Sequence, residues 1–298
     1  MIIAIDHGNS SIKTENEEFP AGLANSLGMG NVESVEYKGQ SYEISGKRPP
    51  FKRDKTTDDD YFILSLFAFG KETDELESEV ELAIGLPPEY IKTEREKFEK
   101  YFLDRSPINF KYNGTPLRID IKRVWCFPQA YAAAMTKRDA LKDKQRVFII
   151  DVGGMTVDTL LLQNLKPDMG FTNSLRGGIN LMCNDIEREV SANLGMQVNQ
   201  GQIEDWLRGK DDFLQAEVGE VIEKNAAQFV NRMIDDLRER DIDLQTAQGV
   251  FVGGGSLLLR EWIGEHRLVR SPIFIEDVRA NAKGYKLFAE GIKKREGN

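Results

Sequence analysis

Two kinds of apolar pattern alternate along the chain: short continuous runs closed by glycine-bearing turns, and stripes spaced three or four residues apart. Residues 2–5 and 147–150 are unbroken apolar runs of strand length, each followed by a glycine turn and a second β-prone stretch. Both read as β-hairpins whose first strand ends in an aspartate, Asp6 and Asp151. Ile179, Met182, Ile186, Val190 and Leu194 keep a helical spacing and stop at Gly195, which predicts an amphipathic helix with a glycine C-cap. A short helix over 202–207 follows. Val218, Val221, Ile222, Phe229, Val230, Met233, Ile234 and Leu237 then stripe a long helix over about 215–239, read as core rather than a partner groove. Earlier in the chain, the acidic and threonine-bearing stretch 54–60 supplies a start for an apolar helix over 61–69. A charged helix is expected over 89–102, and Asn113-Gly114 marks a hairpin turn between two strand-like runs.

The two glycine hairpins are copies of one another. Ile5-Asp6-His7-Gly8-Asn9-Ser10-Ser11-Ile12-Lys13-Thr14 aligns without gaps on Ile150-Asp151-Val152-Gly153-Gly154-Met155-Thr156-Val157-Asp158-Thr159, 145 residues later. A repeat at half the chain length predicts two similar α/β domains facing one another. Glycines at 8, 153 and 154 allow backbone N–H groups to approach an anion, because no Cβ intervenes. Ser11 and Thr156 add hydroxyl donors and Lys13 a point charge suited to phosphate. Asp6 and Asp151 are hard oxygen ligands of the kind that hold hydrated Mg²⁺ beside phosphates. A third glycine cluster, Gly253-Gly254-Gly255-Ser256, lies between a strand-like run and a helical one, with Ser256 read as the N-cap. The chain has neither a P-loop nor a G-x-G-x-x-G sequence, so a nucleotide would be held in another way.

Composition narrows the classes further. The chain has 298 residues and a net charge of −9, which argues against unspecific binding to DNA or to an anionic membrane. Two cysteines, Cys126 and Cys183, and two histidines exclude a disulfide framework or a Cys/His zinc cluster. Neither a membrane-length apolar run nor a secretion signal is evident, and the expectation is a soluble cytoplasmic protein.

The three loops, in this order, resemble the actin-like ATPase superfamily. Asp6-His-Gly8-Asn9-Ser-Ser11-Ile-Lys13 is similar to its first phosphate motif, Asp151-Val-Gly153-Gly154-Met155-Thr156-Val-Asp158 to its second, and Gly253 to Ser256 to its adenosine motif. Phe127-Pro-Gln129-Ala-Tyr and Ala280-Asn281-Ala282-Lys283-Gly284-Tyr285 are similar to its two connecting segments. The hairpin over 35–46 and the Gly85-Leu86-Pro87 strand end resemble plasmid-segregation actins of the ParM/Alp type.

The resemblance implies an α/β fold of two duplicated ribonuclease H-like domains with a nucleotide cleft between them. The first would comprise residues 1–146 and 278–298, with a small subdomain at about 18–75; the second would comprise 147–277, with a helical subdomain at about 184–248. It implies ATP, with GTP as the alternative, and Mg²⁺ held by Asp6 and Asp151 through water. Phosphates and nucleoside would be held around Gly8, Asn9, Ser11, Lys13, Gly153, Gly154, Met155, Thr156, Gly253, Gly254, Gly255 and Ser256, with Gly178 and Glu204 as candidates near the ribose. Gln129 would orient the attacking water and Asp158 would support the second loop; segregation actins often carry Glu at the position of Gln129. The implied function is an ATPase that polymerises and moves plasmid DNA through an adaptor of the ParR type. A small-molecule kinase, or a non-segregation cytoskeletal or scaffold actin, remains the alternative.

Other features are read plainly. Lys47, Arg48, Lys52, Arg53 and Lys55 crowd a Pro49-Pro50 loop, taken as solvated rather than as a filament or DNA contact. His7 reads as a polar turn residue, the two cysteines as buried, and Lys293 to Arg295 as a solubilising tail.

Overall fold

The computed structural model describes all residues except 27–31, 48, 51, 211, 212 and 298, so Arg48 of the basic loop lies outside the described residues. The chain divides into two compact units, residues 1–136 with 277–298, and residues 137–276.

The first unit opens with β1 (Ile2–His7), β2 (Ser11–Lys13), β3 (Glu18–Pro20), β4 (Gly22–Asn25), β5 (Ser34–Tyr37) and β6 (Gln40–Ser45). It continues with α1 (Asp60–Glu72), β7 (Glu77–Leu86), α2 (Ile91–Leu103), β8 (Ile108–Tyr112), β9 (Thr115–Pro128) and α3 (Tyr131–Met135). The second holds α4 (Arg138–Leu141), β10 (Arg146–Val152), β11 (Thr156–Gln163), β12 (Lys166–Arg176), α5 (Ile179–Leu194), α6 (Gln200–Leu207) and α7 (Ala216–Arg238). It closes with β13 (Gln248–Val252), α8 (Gly254–Leu258), α9 (Arg260–Glu265) and β14 (Ile273–Phe274), before α10 (Ala280–Glu296) returns to the first unit.

The duplication seen in the hairpins extends to the sheets. Unit two has strand order β12-β11-β10-β13-β14, and the first five strands of the nine-stranded sheet in unit one run β3-β2-β1-β7-β9. In both, the first three strands pair antiparallel and the last three parallel. The parallel pairs need crossovers, and these are supplied by helices such as α1 and α2, or α5 to α7. Hairpin register repeats too: Asp6 faces Lys13 and Asp151 faces Asp158, the positions that the gapless alignment equates. β1 and β10 are the middle strands of these five-strand motifs and are almost wholly buried, which is why their apolar runs are continuous rather than alternating. Beyond β9, the larger sheet continues through β8 and β5 into β6 and β4, so the 35–46 hairpin is an extension of that sheet.

The helices fall where the periodicity puts them. α5 stops at Gly195, whose φ of 66° suits glycine, and the stripe of α7 is buried from Val218 to Leu237 in the core of unit two. α1 is buried at every position from Tyr61 to Phe69, being covered by the sheet and by rings of α2. One expected cap differs. α8 begins at Gly254 after Gly253 at φ 88°, and the Ser256 hydroxyl turns back to donate to the Gly253 carbonyl at 2.8 Å. Ser256 is thus inside the helix, because the left-handed Gly253 starts it three residues earlier.

α10 packs on β1, β7 and α3 through small residues. A Cβ on Gly284 would lie 2.1 Å from the Ala132 carbonyl oxygen, whereas a Cβ on Gly291 would meet nothing within 4 Å. Gly284→Ala is expected to destabilise the protein by ~1–3 kcal/mol through overpacking against backbone. Gly291→Ala should stabilise it by roughly 0.5–1 kcal/mol through helix propensity. Urea unfolding of the two variants checks the packing, and equal effects would contradict it.

Candidate functional site

The last residues of β1 carry a buried carboxylate held by segments remote in sequence. Asp6 is 5% exposed and its carboxylate accepts three hydrogen bonds. Gln129 Nε2 donates to Oδ1 at 2.7 Å, the Tyr285 hydroxyl to Oδ1 at 3.3 Å, and Asn281 Nδ2 to Oδ2 at 3.2 Å. Gln129 stands just after β9, which runs parallel to β7 two strands from β1; Asn281 and Tyr285 lie one helical turn apart on α10. Burial, and next the Asp6 carboxylate, hold the Tyr285 phenol well above its usual range, so it stays a donor. Gly85 makes room for that hydroxyl, since a Cβ there would sit 2.1 Å from it.

His7 is wholly buried, not a turn residue. Its Nε2 shares a 2.8 Å hydrogen bond with Ser65, and its ring lies edge-on to Tyr61 and Phe98. Burial, then the nearby Lys55 charge, lower its pKa well below the ordinary value. Lys55 departs furthest from the expected solvated loop: it is 6% exposed and its ammonium donates to the His7 carbonyl oxygen. Burial lowers its pKa to about 8, against the pull of Asp6 and Cys126. Its basic neighbours are satisfied at the surface, with Lys52 paired to Asp58 and Asp60 and Arg53 stacked on Tyr90. Lys293 likewise pairs with Glu81 at 2.6 Å rather than forming a free tail.

In the β1–β2 turn, Gly8 is required by close approach: a Cβ would lie 2.6 Å from the Ser11 carbonyl oxygen. Asn9 accepts from the Tyr61 hydroxyl at 3.0 Å. Ser11 donates to Glu18 at 2.9 Å, and Lys13 stands 3.6 Å from the same carboxylate. The hydroxyl and ammonium expected at a phosphate thus share Glu18, on the neighbouring strand β3.

Unit two brings most of its expected residues together. Gly153 N–H donates to the Thr156 carbonyl at 2.9 Å, closing the hairpin turn, and the Thr156 hydroxyl donates to Asp158 at 3.0 Å. Gly178, the N-cap of α5, packs on that turn, with a Cβ position only 2.2 Å from the Gly153 carbonyl. A Cβ on Gly253 would lie 2.4 Å from Asp151 Oδ1, so the third glycine turn sits against the aspartate of the second loop. Gly255 is likewise pressed on Val152 and Ile179. Gln200 bridges Asn180 at 3.3 Å and Glu204 at 2.7 Å, and Asn180 Nδ2 reaches the Met155 sulfur at 3.1 Å. Glu204 is therefore tied to the glycine loop through two amides.

A groove of about 530 Å³ in unit two is lined by Leu207, Leu257, Glu261, Trp262 and Phe274 among others. Its size suits a ligand of nucleoside dimensions. Among the described residues no His/Cys/Asp/Glu group has the geometry of a metal cluster. Mg²⁺ needs no such cage, since it is commonly held through water by one or two carboxylates and phosphates.

Residues 4–131 match the family model for the N-terminal domain of actin-like proteins. Residues 149–265 match the model for the C-terminal domain of the archaeal MreB-like actin homologue. The chain is an actin-like protein. No curated protein sequence matches it. The archaeal actin homologue Ta0583 in complex with ADP superposes with a TM-score of 0.76 at 20% identity, covering 98% of this chain and 99% of that one. Apo psk41 ParM gives 0.76 at 16% identity, covering 100% and 99%, and the ParM of a 15-stranded Clostridium botulinum filament gives 0.71 at 18%, covering 97% and 99%. At these identities the likeness is one of fold: a two-domain actin-like architecture of mixed α/β sheets.

Motif reading does not single out three groups that the structure places around Asp6 and His7: Lys55 lies in a charged loop, and Asn281 and Tyr285 lie in a connecting segment. The groove lining has one sequence signal, Leu257 following the glycine turn; Leu207, Trp262 and Phe274 come from separate elements.

Lys55 supplies a pH test. Its folded pKa of about 8 lies below the ordinary 10.5, so between these values the unfolded chain binds more protons and stability should rise with pH. Lys55→Met should fold and lose that rise in urea titrations at pH 8 to 10. Parallel profiles for both proteins would contradict the buried position of the ammonium.

Proposed function

We propose that this actin-like chain binds ATP with Mg²⁺, hydrolyses it, and assembles into filaments under nucleotide control. The observation that carries the reading is the duplicated hairpin. Each unit presents an aspartate near the end of its middle strand beside a glycine-bearing hairpin turn, and in unit two a second glycine turn packs against that aspartate. Asp6 and Asp151 would hold Mg²⁺ through water, and the metal would neutralise phosphate charge as hydrolysis proceeds. Lys13, Ser11 and Thr156 would contact phosphate oxygens, the first two by leaving Glu18. The base and ribose would occupy the groove lined by Leu207 and Leu257, and Gly254, Gly255 and Glu204 would contact the nucleoside from the neighbouring loop and helix.

Gln129 would orient the attacking water. An amide can donate and accept hydrogen bonds but is no general base near neutral pH, so its effect would come through positioning. The ADP-bound archaeal homologue and the ParM filament support nucleotide binding and self-assembly as the reading for this chain. Heterologous contacts between copies grow open filaments unless the rotation closes a ring. In this reading the polymer would serve plasmid segregation, with a ParR-type adaptor between filament and DNA, a role compatible with the ParM-like fold. The net charge of −9 favours an adaptor over direct DNA contact.

Asp6→Ala and Asp151→Ala are each expected to lower phosphate release at least ~10-fold, as loss of support around a metal does. Normal turnover in both folded variants would remove the site. Gln129→Ala should keep ATP affinity while turnover falls, read by calorimetric titration beside phosphate release; equal loss of both would make Gln129 structural. Sedimentation and light scattering with ATP, a non-hydrolysable analogue, ADP or no nucleotide test assembly. Polymer that forms with ATP and disassembles as phosphate accumulates is the expected result. A protein that stays monomeric throughout while phosphorylating a small metabolite would favour the kinase alternative.

A further inference from the structure

We propose that Asn281 is a positioning residue that fixes the orientation of Gln129 through a strained turn at Ala130. The inference rests on the water-orienting role proposed for Gln129 and deepens it.

The backbone supplies the first observation. Ala130 has φ 61° and ψ −48°, and the Tyr131 N–H donates to the Gln129 carbonyl at 2.6 Å. Residues 129–131 therefore form a γ-turn of the positive-φ kind, which is rare and strained. A residue with a Cβ stays in such a conformation only where its surroundings over-determine it, and such strain clusters at functional sites. Ala130 is 2% exposed, so the turn is enclosed.

Hydrogen bonds account for its persistence. Gln129 N–H donates to the Leu86 carbonyl at 2.8 Å, anchoring the turn to the end of β7, and Ala134 N–H donates to the Ala130 carbonyl at 2.8 Å. The Ala130 N–H has one partner outside the backbone: Asn281 Oδ1, at 2.8 Å. The same side chain uses its Nδ2 to donate to Asp6 Oδ2 at 3.2 Å, while Gln129 Nε2 donates to Asp6 Oδ1 at 2.7 Å.

A closed circuit results. Asn281 grips the peptide that aims Gln129 and the carboxylate that receives it. Only one orientation of the Asn281 amide serves both neighbours, since the flipped form would set N–H against N–H and oxygen against carboxylate. Aspartate would keep the acceptor but lose the donor, and alanine would lose both. The chemistry of this position therefore calls for an amide. Asn281 need not touch nucleotide; it acts by limiting where Gln129 can point.

The experiment is a double-variant cycle on the full chain, comparing wild type, Gln129→Ala, Asn281→Ala and the pair. ATP affinity is read by titration and turnover by phosphate release. The expected result is a fall in turnover of about tenfold or more for Asn281→Ala with affinity within about threefold. The double variant should be no slower than Gln129→Ala, because both changes disable one group. Multiplicative losses, or wild-type turnover in Asn281→Ala beside a slow Gln129→Ala, would overturn the inference and leave the role of Gln129 standing. Wild-type turnover in Gln129→Ala would overturn that role, and the inference with it. Asn281→Asp provides the second arm should Asn281→Ala fail to fold. Aspartate keeps the acceptor for the Ala130 N–H and loses the donor to Asp6, so turnover should fall in a folded protein; unchanged turnover would overturn the proposal.

Discussion

One carboxylate organises unit one. Asp6 ends the middle strand of the β3-β2-β1-β7-β9 motif, is 5% exposed, and draws three donors from segments that are remote in sequence, the farthest 279 residues away. A buried anion without partners is costly, and the three neutral donors meet that cost while fixing the positions of Gln129, Asn281 and Tyr285. The return of α10 to the first unit follows the same logic. Its small residues let the helix approach α3 and the sheet, and its amide and phenol then reach the carboxylate. Lys55 adds a buried cation that donates to the His7 carbonyl oxygen.

Unit two repeats the strand pattern with different chemistry. Asp151 stands where Asp6 stands, and Gly253 packs against its carboxylate. Duplication has preserved the hairpin register and strand order while different side chains surround the two aspartates. In the proposed reading, the first copy governs hydrolysis and the second holds the nucleoside.

The features legible in the sequence are those fixed by local rules. Hairpin register followed from a gapless repeat, the end of α5 from Gly195, and the stripe of α7 from 3.6-residue periodicity. Ser256 showed the limit even there, since a left-handed glycine moved the helix start and made the serine an interior residue. Lys55 was illegible because its neighbours in sequence, Lys52 and Arg53, are surface cations, and only tertiary packing buries one of the group. Ser11 and Lys13 were placed in the right hairpin, but their shared partner, Glu18, depends on the pairing of β2 with β3. Asn281 could not be assigned a role from its motif, because both of its partners lie more than 150 residues away.

The central claim is that both hairpins and the third glycine turn act on one Mg²⁺-nucleotide. Hydrogen–deuterium exchange of the full chain, with and without MgATP, tests it most directly. Concerted protection of residues 6–13, 151–158 and 253–256 is the expected result, with little change in β5 and β6. Protection confined to one hairpin, or to neither, would contradict the account.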